Sequence, residues 1–225
     1  MRERLVRLLL RFLDRVGLLS FAFHIKRVES TRDRLVFEHL WSRMWLLEGY
    51  GTKETLPAIR EHYASYDAVS FDLLCTFLWI VPVGTMRVIT GTAKLPALTD
   101  FQSESRPPGK VAEVTLLTIH RQFQGFQHRV ALLLFREMYR RARDQGVRGI
   151  VVAADRRLWI LLRRFLALSF RQIGREQEYE GSMTIPGYLD FEEQERLILQ
   201  QTVPRNLLEE YVWKRFVGQQ RPRKE

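Results

Sequence analysis

Residues 113–129 read EVTLLTIHRQFQGFQHR. From Glu113 to His120 the chain is an apolar run with an acidic start and no helical period, which predicts a strand. Gln122-Phe123-Gln124-Gly125-Phe126-Gln127 interrupts it, and from Gly125 a helical pattern runs to Gln145, where Gly146 ends it. A strand–loop–helix junction of this kind offers free backbone N–H groups and the positive end of a helix dipole to an anion. Helix capping explains a lone glycine equally well, so the junction takes its meaning from its surroundings.

Downstream, GIVVAA (149–154) predicts a short buried strand, and Asp155 caps a leucine-rich helix reaching about Leu168. FRQIGREQEYEG (170–181) and MTIPGYLDF (183–191) form a closing strand pair, and helices over 192–201 and 204–216 precede a basic tail. Upstream, Phe21, Phe23 and Ile25 alternate as in a strand, and Ser30 or Thr31 caps a helix ending near Gly49. Residues 52–66 are turn-rich with a short helix over 59–63. Strands follow over 69–78 and, beyond Pro82, over 83–90, while 92–110, with Pro96, Pro107, Pro108 and Gly109, is a long loop. This order predicts an α/β (α+β) fold, a mixed sheet flanked by helices. Residues 1–19 form an extra N-terminal helix, 20–190 the main domain and 191–225 a helical C-terminal extension with its tail.

A chain of 225 residues, 46% hydrophobic and 28% charged, is globular and long enough to bury a core without disulfide or metal staples. Cys75 is the single cysteine, so no intrachain disulfide forms. His24, His39, His62, His120 and His128 fall at no metal-ligand spacing, which excludes a structural zinc site and points to a reducing, cytoplasmic setting. The net charge of +10 calls for an acidic partner: nucleic acid, an anionic membrane or an acidic protein. Residues 119–175 hold thirteen arginines against Glu137, Asp144 and Asp155, so this quarter of the chain carries a charge equal to the whole. No apolar stretch approaches the ~20 residues of a membrane span. In residues 1–19, charges interrupt the apolar run too often for a signal peptide. Leu5, Leu8, Leu9, Phe12, Leu13 and Val16 recur at helical spacing among arginines. Such a helix packs on its own domain, or lies on a partner or on a membrane, here the inner face.

Set among these elements, the junction at 122–127 resembles the phosphate loop of the GNAT acyltransferases, Gln/Arg-x-x-Gly-x-Gly/Ala, with Gln122 and Gly125 matching and Gln127 at the last small position. LALSFRQIG (166–174) resembles the later Leu-Gly-Phe-x-x-Ile-Gly stretch of that superfamily, with Ser169 for its first glycine. Four further segments resemble one branch, the acyl-homoserine-lactone synthases and, more closely, bacterial N-acyl amino acid synthases. Leu40, Met44, Trp45 and Glu48 match a helix motif in which Trp41 replaces an arginine. Tyr66, Asp67 and Ser70 match Asp-x-Tyr-Asp-x-x-Ser, with Ala64 for the first aspartate. Gly84, Thr85 and Arg87 match Gly-Thr-x-Arg, and Glu113-Val114-Thr115-Leu116 resembles Glu-Ile-Ser-Arg with leucine for arginine.

The resemblance implies a GNAT-like, mostly antiparallel sheet and transfer of a fatty acyl group to the α-amine of an amino acid. No cofactor stays bound; the donor is the acyl-phosphopantetheine of an acidic acyl carrier protein. Glu113 would take the amine's proton through water, and backbone N–H groups around Leu117 and Thr118 would hold the oxyanion. Gln122, Gln124, Gly125, Phe126, Gln127 and Arg129 would bind the donor arm. A bulky Gln127 crowds the diphosphate of coenzyme A more than the single phosphodiester of a carrier arm. Asp67 and Arg87 would pair as a structural, buried ion pair at the pocket. Arg129, Arg136, Arg140 and Arg143 follow helical spacings, as do Arg156 with Arg163 and Arg157 with Arg164, forming a surface on which an acidic carrier protein docks. Two alternatives stand beside this: a coenzyme-A-dependent acetyltransferase of the same fold, and a basic nucleic-acid-binding module. The second has no need of Glu113 beside the Gln122–Gly125 loop, so nucleic acid is not the expected partner.

Overall fold

In the computed structural model of the chain, residues 22–90, 95–101, 107–166 and 168–200 are described. The amphipathic helix expected over 1–19 and the helix expected over 204–216 lie outside them. The described part is built on eight strands: β1 (Phe23–Arg27), β2 (Ser70–Phe77), β3 (Val81–Ile89), β4 (Val111–Ile119), β5 (Gly149–Asp155), β6 (Arg171–Gln172), β7 (Gln177–Tyr179) and β8 (Ser182–Asp190). They lie in the order β1-β2-β3-β4-β5-β8-β6, with β7 also paired to β8. Every pairing is antiparallel except that of β4 with β5. That parallel pair requires a crossover, which the long helix between them supplies.

Two helices cover opposite faces of the sheet. Helix α1 (Thr31–Glu48) starts where the Ser30 side chain accepts the Asp33 amide at 3.1 Å and stops at Gly49, which is left-handed at φ 81°. It buries Phe37, Leu40, Trp41 and Met44, an i, i+3, i+4, i+7 stripe. Beyond it lies α2 (Leu56–Ala64), longer than the piece expected at 59–63. Among its described residues, the predicted loop over 92–110 contains one short helix, α3 (Pro96–Thr99). The crossover helix, α4 (Gln127–Asp144), follows a 3₁₀ turn over Arg121–Phe126, two residues later than the sequence pattern places its start. It packs on β1 to β4 through Val130, Ala131, Leu134, Phe135 and Met138. Gly84 lets it come close, since a Cβ there would meet Val130 Cγ1 at 2.9 Å.

The strands divide their side chains between the faces with period two. Phe71, Leu73, Cys75 and Phe77 of β2, with Ala112 and Val114 of β4, join the core under α4. Asp72, Glu113 and Thr115 take the alternate positions, on the face of α1 and α2. Burial pushes the Cys75 thiol far up, so this residue is core. Asp155 caps the next helix as expected, accepting the Leu158 amide at 2.7 Å, but α5 (Arg156–Ile160) widens into a π turn over Leu161–Phe165. The seven-residue spacing of Arg156 with Arg163 therefore does not mark one helix face. The last helix among the described residues, α6 (Phe191–Leu199), docks through Phe191.

Candidate active site

β4 and β5 pair only from Val111 with Gly149 to Val114 with Val152, then separate while both strands continue. The cause is a bulge. Against β3, Thr85 pairs with Thr118 and Arg87 with Thr115, so β4 carries one extra residue, and Leu116 sits in the left-handed region at φ 50°. The Thr85 hydroxyl fixes this kink by donating to the Leu116 carbonyl at 2.9 Å. A wedge opens between the strands and holds a cavity of about 100 Å³. Tyr63, Glu113 and Glu180 line it on one face of the sheet, and Phe135 and Leu162, from the core under α4, line it on the other. Its neighbour, a cleft of about 400 Å³, is bordered by Met44, Glu48, Leu117, Thr118, Ile119, Arg157 and Leu161. Trp45, Tyr50, Leu117, Asp155 and Leu158 line both.

Glu113 is the third residue of β4 rather than its first, and it is buried. Its Oε2 accepts the Ala97 amide of α3 at 2.9 Å. Burial pushes its pKa up to about 8, the Asp100 and Glu180 carboxylates push the same way, and the Ala97 amide opposes them. Glu180 stands in the β7–β8 turn, whose two central residues, Glu180 and Gly181, have φ of 48° and 77°. A Cβ on Gly181 would approach the Tyr50 carbonyl oxygen at 3.1 Å, so the turn lies close against the end of α1. Burial pushes Glu180 up to about 7, against the pull of the Tyr63 hydroxyl. Tyr63 donates to the Glu180 carboxylate at 3.2 Å and accepts from Thr115 Oγ1 at 3.0 Å, an ordered chain from β4 to the turn. The Tyr63 phenol itself is held well above its usual range by burial and by Glu180. Tyr50 donates to Asp155, the cap of α5, and ties the floor of the cleft together.

Beside this acidic cluster is a fully compensated one. Arg87 binds Asp72 through Nε at 2.7 Å and through its Nη2 at 2.8 Å, and donates to the Tyr63 carbonyl at 2.6 Å. Asp67 does reach Arg87, at 3.0 Å, but it is exposed and shared with Arg34. The expected Asp67–Arg87 pair thus forms, but with Asp67 exposed, and the buried partner of Arg87 is Asp72. Asp72, Tyr63, Thr115 and Glu180 escaped the sequence reading. An aspartate inside the apolar β2 pattern, one strand from an arginine, is the signal that was available for Asp72.

Of the expected donor-binding residues, Gln122, Gln124, Gly125 and Phe126 lie in the 3₁₀ turn, Gln127 is the first residue of α4, and Arg129 lies in its first turn. The arginines expected at the docking surface are differently placed. Arg136 is half-buried, and burial lowers its pKa. Arg140 pairs with Glu137 at 2.6 Å, Arg143 with Glu195 at 3.5 Å and Arg156 with Glu176 at 2.9 Å. Arg157 borders the cleft, and Arg163 lies over the Trp159 ring at 5.6 Å. Among the described residues no group of three or more His, Cys, Asp or Glu is arranged to hold a metal ion.

No protein-family model matches the chain, and no curated protein matches its sequence. Solved structures do. FeeM, an N-acyl amino acid synthase from uncultured soil microbes, superimposes with a TM-score of 0.62 at 17% identity, over 81% of this chain and 98% of FeeM. The AHL synthase LasI gives 0.57 at 14% identity, over 82% and 96%. A GNAT-family protein from Desulfovibrio desulfuricans gives 0.50 at 12% identity, over 75% and 99%. The chain therefore has the GNAT-like fold that an N-acyl amino acid synthase and an AHL synthase share.

Proposed function

We propose that this chain is an N-acyltransferase that moves a fatty acyl group from the phosphopantetheine thioester of an acyl carrier protein to the α-amine of an amino acid. The observation that carries this is the wedge between β4 and β5, which is polar on the face of Glu113 and apolar on the face of Phe135 and Leu162. An amine and a fatty chain ask for opposite surroundings, and one opening through the sheet supplies both. The larger cleft brings the donor arm to Leu117 and Thr118, where the bulged strand has left its neighbour. The start of α4 suits the arm's phosphate.

The acceptor arrives as an ammonium. One proton passes to Glu113, directly or through a water, and the free amine attacks the thioester carbon. Charge gathers on the carbonyl oxygen beside the backbone of Leu117 and Thr118. Collapse breaks the C–S bond, the second amine proton leaves on sulfur, and Glu113 returns its proton to solvent. A base whose pKa is about 8 matches this task near neutral pH.

The test is expression in a bacterial host with lipid extracts read by mass spectrometry, followed by assays on acyl carrier protein and acyl-pantetheine. New N-acyl amino acids are the expected result; none in several hosts, with folded protein present, rejects the proposal. Reversing Arg157 and Arg163 to glutamate, or adding salt, is expected to weaken use of the carrier and spare the small thioester. Preference for acetyl-coenzyme A over every carrier substrate would instead favour the coenzyme-A-dependent enzyme.

A further inference from the structure

The turn between β2 and β3 is built against ordinary rules. Leu78, Trp79, Ile80 and Val81 follow one another at its tip, and Trp79 is 70% and Ile80 81% exposed. Leu78 and Trp79 both adopt left-handed backbone, at φ 49° and 66°, which bulky L-residues disfavour. The tip is nevertheless fixed. The Leu78 amide donates to the Ala22 carbonyl at 2.7 Å, and the His24 ring stacks on Trp79 at 3.6 Å. Strain kept in place to display four apolar side chains points to a use for the display.

Its position says more. Gly84 pairs with Ile119 and the His120 amide donates to the Val83 carbonyl, so the tip extends past the end of β4 where the 3₁₀ turn begins. Phe123 of that turn packs on Phe23 and Phe77 at the root of the tip. Ala22 lies at the tip, and the sequence before it carries Arg2, Arg4, Arg7, Arg11 and Arg15 against Glu3 and Asp14, among apolar residues at helical spacing.

We infer that the β2–β3 tip is a membrane wedge: Leu78, Trp79, Ile80 and Val81 enter the interfacial layer of a bilayer, and the net positive charge of the sequence before Ala22 makes that bilayer an anionic one. A convex tip buries its side chains only in a medium that closes around it, which lipid does. Tryptophan favours that boundary, and the arginines supply attraction to acidic headgroups. The inference does not depend on the proposed chemistry, but it sets the donor cleft near the surface where a fatty product would partition.

The full chain is floated with vesicles of phosphatidylcholine alone and of an equal mixture with phosphatidylglycerol. Binding to the mixed vesicles, much weaker on the neutral ones, is expected. Trp79→Ser with Ile80→Ser should weaken binding by at least about tenfold, because two large apolar side chains lose their burial. Bromine-labelled lipid should quench the wild type more than Trp79→Phe. Circular dichroism and unchanged turnover of an acyl-pantetheine by the double variant show that its fold is intact. No binding by the wild type, or equal binding and quenching with the tip altered, overturns the inference. So does loss of carrier-protein binding, or of a dimer, in place of vesicle binding when the tip is changed.

Discussion

Arg87 and Glu113 project from neighbouring strands, with Arg87 opposite Thr115 and Glu113 one pleat away, yet the protein treats their charges in opposite ways. Arg87 is buried with a two-pronged carboxylate partner and a backbone carbonyl. Glu113 is buried with one backbone amide and two more carboxylates within electrostatic reach. The first arrangement fixes a geometry, because any movement strands a charge in an apolar interior. The second leaves a proton loosely committed near neutral pH. The two are joined through Tyr63, whose carbonyl is held by Arg87 and whose hydroxyl is held by Thr115.

The contrast is broken most severely by Glu113→Gln. Turnover should fall by about 10²–10⁴-fold, the usual contribution of a proton-transfer group. Stability should move the other way. A carboxyl raised by folding to about 8 binds its proton more tightly in the native state, so stability falls as pH climbs from the ordinary carboxylate range to about 8. The glutamine variant avoids that loss, so its melting temperature should match wild type at pH 5 and exceed it at pH 9. Equal curves at both pH values would mean that Glu113 is not held protonated.

Asp72→Ala attacks the compensated side. Leaving Arg87 without its buried partner should cost about 3–5 kcal/mol in denaturant unfolding. Asp72→Leu with Arg87→Met should restore most of that stability while activity stays low, since Tyr63 loses its anchor. A double variant as active as wild type would make the cluster mere filling. Next, kcat/KM in the unaltered protein should rise with pH along a limb centred near 8 as Glu113 deprotonates. The smallest effect belongs to Glu180→Gln, which removes one of the charges that raise Glu113. The limb should shift to lower pH by a fraction of a unit, with the plateau rate changed only a few-fold; an unmoved limb would uncouple the two carboxylates.

What the sequence revealed and what it hid divide by distance along the chain. Ser30, Gly49 and Asp155 cap helices through residues at most four positions away, so their roles are written locally. The apolar run from Glu113 and the alternation of Phe21, Phe23 and Ile25 likewise marked strands β4 and β1. Tyr63 and Glu180 are 117 positions apart and meet only because the β7–β8 turn lies close against the end of α1. No local pattern distinguishes a tyrosine in a polar, turn-rich stretch from any other. The π turn after Ile160 was equally illegible, because leucines at helical spacing are compatible with both windings.

The extra residue in β4 has a numerical consequence. Before it, Ala112 and Val114 face α4; after it, Leu117 and Ile119 do, so the strand changes parity at Leu116. Even positions serve the core on one side of the kink and odd positions on the other. Deleting a single residue there would restore an unbroken alternation and send either Glu113 or Leu117 to the wrong side of the sheet. Lineages of this protein should accordingly accept replacements between Val111 and Ile119 at positions other than Glu113 but no change in their count.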